Sequence, residues 1–178
     1  MSGYNKTGFR QLLTDAKSGG YAVGAFNIVN HPTAKAVVEE AAELHSPVIL
    51  QTSVGTVHAF GAEPLFQMIQ SLRRFTGFPV LLHLDHCRDL ELLRECVDAG
   101  WDSVMLDGSS LPFEENVRLT CEARDYAHKH GADIEAEIGV IGGQEEEITA
   151  EHGAGTSYED AVRFLDETKI DALAPAIG

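Results

Sequence analysis

The amino-acid sequence predicts an α/β fold built on a parallel sheet, and three observations carry that expectation. Short β-type runs alternate with longer helical runs along the whole chain, the pattern of right-handed strand–helix–strand crossovers. Two of the β-type runs, Val48-Ile49-Leu50 and Val80-Leu81-Leu82, are apolar at every position, as strands covered on both faces must be. Glycines stand where helical runs stop, at Gly19-Gly20, Gly100 and Gly131.

A first helix is expected over residues 7–17, with Phe9, Leu12, Leu13 and Ala16 on one face. A strand follows over 21–26. Pro32 sits where the first turn of a helix tolerates it, and Val37, Val38, Ala41, Ala42 and Leu44 continue that helix on its core-facing side. Next come a strand over 47–52, a helix near 63–75 and a strand over 79–85. A helix over 89–99 precedes a strand over 102–107. A helix over 113–130 leads to a strand over 133–138, then a Gly- and Glu-rich loop over 139–155. The last pair is a helix over 157–169 and a strand over 171–175.

Six strands result. An open six-stranded sheet fits them, and so do the first six strands of an eight-stranded (β/α) barrel, which typically takes about 250 residues. The 178 residues therefore read as one domain over 1–178, incomplete at its C-terminal end. Six strands of eight leave two edges unpaired and put Val48, Leu50 and Leu82, taken as inner residues, in contact with water. Such a piece is expected to aggregate, swap elements or pair with whatever supplies strands seven and eight.

Composition excludes several classes. A hydrophobic share of 44% offsets the chain entropy of folding, so disorder is not expected. The chain has 13 Lys and Arg against 28 Asp and Glu, a net charge of −15 that repels nucleic acid and anionic membrane. An anionic substrate would therefore need positive potential supplied locally. No run of about 18 apolar residues is present, so no transmembrane helix is expected. The first residues carry no secretory pattern, and a cytoplasmic location follows. Cys87, Cys96 and Cys121 form no Cys-x-x-Cys pair; Cys96 and Cys121 read as small buried hydrophobes on helices.

The functional signal is positional, because unusual polar residues gather at the carboxyl ends of the strands. These are Asn27, then Gln51-Thr52-Ser53, His83-Leu84-Asp85-His86, Asp107-Gly108-Ser109, and Glu135-Ala136-Glu137. In parallel α/β folds ligands bind at that edge, where the loops converge. Asp85-His86 offers a carboxylate for proton transfer beside an imidazole for a metal. Glu135 and Glu137, two apart on a strand, point to one side. Two carboxylates facing a barrel interior are costly unless a cation compensates, and zinc accepts both imidazole and carboxylate. In the loop, Gly142-Gly143 reads as the hinge of a lid, and Glu146 and Glu147 as solvated charges. The loop holds no nucleotide-binding glycine motif. Lys6, Lys17, Lys35, Lys129 and Lys169 fall in helices or terminal segments, which argues against an imine-forming lysine.

These motifs resemble the class II, metal-dependent ketose-bisphosphate aldolases. The resemblance runs from Gly20-Tyr-Ala-Val-Gly-Ala-Phe-Asn27 through Leu82-His-Leu-Asp-His86, Val104-Met-Leu-Asp-Gly-Ser109, Glu135-Ala-Glu-Ile-Gly139 and Gly142-Gly-Gln-Glu145 to Asp171-Ala-Leu-Ala-Pro-Ala-Ile-Gly178. It implies a (β/α)8 TIM barrel, a homo-oligomer, and aldol cleavage of fructose or tagatose bisphosphate. Zinc is the cofactor implied, with a monovalent cation allowed beside it.

By the same resemblance Asp85 is the proton donor and acceptor and Glu145 the loop glutamate that handles the proton on the dihydroxyacetone phosphate carbon. His86 is a zinc ligand, and Glu137 and Asp107 hold or flank the metal. Ser53 lies where one phosphate is touched, and Asn27 supports the pocket. Departures stand at Cys87, at Val57-His58-Ala59-Phe60 and at Gln144. In the family a Gly-x-x-His segment with a second zinc histidine begins at the position of Gly178, and a third histidine follows it. Two other readings compete. One is a non-catalytic fragment that associates with a partner completing the barrel; the other is a metal-free phosphate-binding isomerase.

Overall fold

The computed structural model describes residues 8–74, 76–140, 143–145, 148–150 and 155–177. The chain runs α1 (Phe9–Gly19), β1 (Gly24–Asn27), α2 (His31–Glu43), β2 (Val48–Ser53), α3 (Val54–Phe60), α4 (Ala62–Arg73), β3 (Val80–Cys87), α5 (Leu90–Asp98) and β4 (Ser103–Leu106). It continues α6 (Phe113–His130), β5 (Asp133–Ile138), β6 (Gly143–Glu145), β7 (Ile148–Ala150), α7 (Tyr158–Thr168) and β8 (Ala172–Pro175). Six strands form one parallel sheet in the order β1-β2-β3-β4-β5-β8, the sequential order of a half-barrel. The fold class expected from the sequence is the one observed.

Local chemistry starts the helices. Asn30 accepts from the Thr33 amide while the Thr33 hydroxyl takes the Asn30 amide, a capping box that sets α2 just ahead of Pro32. Asp89 caps α5 through the Glu91 amide, and Ser157 caps α7 through the Asp160 amide. Gly131 ends α6 at φ 82°, a left-handed conformation that costs glycine little.

The two faces of the sheet differ. Val48, Leu50, Val80, Leu82, Leu84, Val104, Leu106 and Ile134 pack with residues of the helices in one core. Val48 is 2% exposed, and Leu50 and Leu82 are 0%. The expectation that these residues line an open barrel interior is therefore wrong: they face the helix layer and stay buried whatever happens at the strand edges. On the other face Ile49 pairs in register with Leu81, and both pack with Phe9 and Leu12 of α1. The Arg10 amide donates to Asp133 and its guanidinium meets Asp171, so α1 reaches from β2 and β3 across to β5 and the start of β8. That helix lies against the interior face at the amino ends of the strands and leaves the carboxyl ends clear.

Other differences are local. Val54–Phe60 is helical although it contains Gly55 and β-branched residues; Ser53 caps it and Val57 is buried. Within the expected loop, β6 and β7 pair as an antiparallel hairpin. Leu44, expected in the core, caps α2 and is 67% exposed. Cys121 is only half-buried, whereas Cys87 and Cys96 are buried as small hydrophobes. Among the described residues β1 and β8 each pair on one side only, as expected for an open sheet.

Candidate functional site

A regular strand points neighbouring side chains to opposite faces. Asp85 and His86 escape this rule through a bulge. Leu84 pairs with Val104 and Cys87 with Leu106, so three steps on β3 match two on β4. The extra residue is absorbed at His86, whose φ of 46° is left-handed and strained for a residue bearing a Cβ. The result places the His86 Nε2 3.8 Å from the Asp85 carboxylate. Strain of this kind gathers at functional sites.

The carboxyl ends of the other strands close around this pair. Asn27 at the end of β1 donates its side-chain amide to Asp85 Oδ2 at 3.1 Å. Glu137 on β5 brings Oε2 to 3.2 Å from His86 Nδ1, and Asp107 just after β4 lies 3.9 Å from the same nitrogen. Ser53 is in register with Asp85 on β2, and its hydroxyl accepts from the Thr56 amide to cap α3. Asn27, Ser53, Asp85, His86, Asp107 and Glu137 thus share one rim. Glu145 ends β6, its backbone paired with Ile148. Its side chain, Gly142 of the expected Gly142-Gly143 hinge, Glu146 and Glu147 lie outside the described residues, as do 141 and 151–154 of the expected lid, whereas Gly143 opens β6.

The electrostatics favour positive charge at His86. Contact with the Glu137 carboxylate, opposed by burial and helped by Asp85 and Asp107, pushes the His86 pKa up to about 9. Glu137 Oε2 is buried, and beyond the 3.2 Å ion contact with the imidazole it has no hydrogen-bond partner among the described residues. Asp107 differs. Burial opposes its ionisation, yet the Ser109 hydroxyl and amide and the Arg88 guanidinium outweigh that and hold its pKa below the usual carboxylate range.

Zinc takes nitrogen and oxygen ligands at 2.0–2.2 Å, and tetrahedral geometry then separates ligand atoms by about 3.3 Å. The 3.2 Å between His86 Nδ1 and Glu137 Oε2 fits that spacing, and Asp107 lies within reach. An orphan buried carboxylate oxygen beside an imidazole is what a zinc-like cation would satisfy. His128, Asp133 and Asp171 also cluster, but at the amino ends of the strands. There Asp171 is already engaged by Arg10, the Ile134 amide and His128.

Supporting groups lie beneath the rim. His83, buried on β3, stacks on Phe9 with centroids 5.3 Å apart and shares a 2.8 Å hydrogen bond with Ser103. Burial, with His86 nearby, drives its pKa down to about 3, so its 3.6 Å approach to Glu135 is a contact of a neutral ring. Burial, then the Asp85 charge, raises Glu135 to about 7. Asn116 of α6 donates to the Glu137 carbonyl at 2.8 Å and packs against Gly108. Sequence reasoning missed Arg88 and Asn116. A cation two residues after His86 was a usable signal for the first; an asparagine inside a helix carried none for the second.

A family model described as fructose-bisphosphate aldolase class-II matches residues 7–178. The chain is 40% identical over 172 residues to a fructose-bisphosphate aldolase of Staphylococcus aureus and, over the same length, to one of Geobacillus stearothermophilus. Each alignment takes in 95% of this chain and 60% of the relative, so the chain spans about three-fifths of the relatives it matches. Among solved structures, the YdjI aldolase of Escherichia coli K12 superposes with a TM-score of 0.83 at 34% identity, covering 97% of this chain and 61% of the other. The fructose-bisphosphate aldolase of Campylobacter jejuni gives 0.82 at 26%, covering 97% and 58%.

Proposed function

Because the chain belongs to the class II fructose-bisphosphate aldolase family, we propose that the protein catalyses metal-dependent aldol cleavage, and the reverse condensation, of a ketose 1,6-bisphosphate. The products are dihydroxyacetone phosphate and glyceraldehyde 3-phosphate, and fructose or tagatose bisphosphate is the substrate. The observation that carries this reading is the 3.2 Å pairing of His86 Nδ1 with the orphan Glu137 oxygen, beside an Asp85 steadied by Asn27. His86, Glu137 and Asp107 are the residues that would hold zinc. When bound, zinc supplies Lewis-acid polarisation of the ketone and stabilises negative charge developing on its oxygen.

The chain's own groups handle protons and position. Asp85 takes the proton from the hydroxyl beyond the scissile bond and returns it in condensation. The Asn27 amide fixes the orientation of that carboxylate. Glu145 serves the carbon-bound proton of the dihydroxyacetone phosphate unit, and Ser53 contacts a phosphate. The family resemblance that supports the aldol reaction also supports a homo-oligomer in the cytoplasm. Among the described residues no helix is long and apolar enough to cross a membrane.

The test is metal analysis of the purified protein with coupled assays on both bisphosphates, on wild type and Asp85→Ala. The variant should retain metal and lose roughly 100-fold or more in turnover, the usual contribution of positioned proton transfer. Near-normal turnover would remove Asp85 from this role. Full activity in a metal-free preparation would overturn the metal-dependent reading altogether.

A further inference from the structure

Two carboxylates lie within reach of His86, and they are not equivalent. Glu137 Oε2 accepts no hydrogen bond among the described residues. Asp107 is saturated: Oδ1 accepts from the Ser109 amide at 3.1 Å and its hydroxyl at 2.6 Å, while Oδ2 accepts from both Arg88 Nε and Nη2 at 2.9 Å. A carboxylate offers about four acceptor positions, and donors fill all four. The oxygen facing His86 is the one that Arg88 holds.

The two partners of this ion pair are held differently. Asp107 is fixed, its side chain 2% exposed and its amide bonded to the Cys87 carbonyl. The Arg88 side chain is 39% exposed. Release of the pair therefore requires movement of a half-exposed guanidinium, not of the buried carboxylate. The guanidinium also sets a full positive charge beside the space between His86 and Glu137, which lowers the attraction of that space for a cation.

We propose that Arg88 is a latch on the metal site: while it grips Asp107, a divalent cation is held by His86 and Glu137 without Asp107, and when it lets go Asp107 becomes a further ligand. Arg88 is a positioning residue in this account, touching neither metal nor substrate. The proposal rests on the metal-dependent reading above and adds to it the group that sets the ligand count.

The opposite role for Arg88 is plausible chemistry and gives the opposite sign. If Arg88 only orients Asp107 as a supporting partner, its removal weakens metal binding by about 10–100-fold, as loss of outer partners commonly does. If Arg88 is a latch, its removal frees a carboxylate and deletes a competing charge, so binding tightens. The experiment measures zinc affinity by chelator competition, and the visible absorption of the cobalt(II) form, for wild type, Arg88→Met and Arg88→Lys. Arg88→Met should bind zinc about tenfold or more tightly and show an altered cobalt spectrum, with Arg88→Lys between it and wild type. The gain should vanish in the Asp107→Asn background, which closes a double-mutant cycle on the pair.

Weakened or unchanged binding in Arg88→Met, or a gain that survives Asp107→Asn, overturns the latch. If wild type binds zinc and cleaves substrate while Arg88→Met behaves identically, the latch alone fails. If neither protein binds a divalent ion, the latch falls together with the metal-dependent reading. If only Arg88→Met binds, the latch is supported in its strongest form.

Discussion

Gly108→Ala is a severe test of how the site is braced, because one methyl group meets one buried amide. A Cβ at Gly108 would lie 2.5 Å from Asn116 Cγ and closer still to Oδ1. Gly108 has no left-handed φ, so the penalty comes from contact and not from backbone conformation. Asn116 cannot move cheaply. It is 3% exposed, donates to the Glu137 carbonyl and accepts from the Thr120 hydroxyl. Turning it away breaks both bonds at a net cost of about 1 kcal/mol each and strands the buried Glu137 carbonyl for about 1–3 kcal/mol more. The expected loss is about 3–5 kcal/mol, which for a domain of this size lowers Tm by roughly 6–20 °C.

Urea unfolding of the single variants and of the double variant Gly108→Ala, Asn116→Ala measures this directly. With Asn116 shortened the added methyl has room, so its cost should fall by more than about 1 kcal/mol. A single-variant loss below about 0.5 kcal/mol would refute the reasoning. So would a cost for Gly108→Ala that is the same in both backgrounds. Because Asn116 bonds the carbonyl of Glu137 itself, the same substitution should also weaken metal binding.

Two further outcomes are expected. His86→Ala should lose metal and activity together, since it removes the imidazole that meets Glu137 among the described residues; metal analysis showing full occupancy would contradict the assignment. His83 makes the fold sensitive to acid. Its pKa falls from an ordinary 6.5 to about 3 on folding, so between those values the unfolded chain binds the extra proton and stability rises with pH. Acidification from pH 7 to pH 5 should therefore remove about 2 kcal/mol through this group, and His83→Gln should abolish that part of the loss in urea midpoints. Glu135 runs the other way, its contribution lost as pH rises from 4.5 through about 7, and comparing wild type with His83→Gln separates the two.

Strand positions were legible because doubly covered strands are continuous apolar runs, and β2 and β3 fall within a residue or two of expectation. Their facing was not. Where every position is apolar no period of two remains to say which side is inner, and Val48, Leu50 and Leu82 were assigned to the wrong one. Only the register against α1, which pairs Ile49 and Leu81 with Phe9, resolves it. Glu135 and Glu137 show the reverse case: a charged pair with period two declares its face, and both turn to the side of His83 and His86. The helix Val54–Phe60 was hidden because its propensities oppose it, and a Ser53 cap with burial of Val57 outweighs them.

The bulge at His86 was hidden for a deeper reason, since it violates the alternation on which sequence reading relies. Without it Asp85 and His86 would face opposite sides of the sheet, and no single ligand could meet a carboxylate and an imidazole from adjacent residues. With it, one strained residue puts both groups on the rim with Asn27, Asp107 and Glu137. That arrangement is heavily anionic within a chain of net charge −15, and the nearby Arg88 is engaged by Asp107. A bisphosphate cannot be drawn into such a rim by these side chains alone. Positive potential has to come from a bound cation and from groups beyond the rim, so the aldolase reading predicts that substrate affinity, and not turnover alone, falls when the metal is removed.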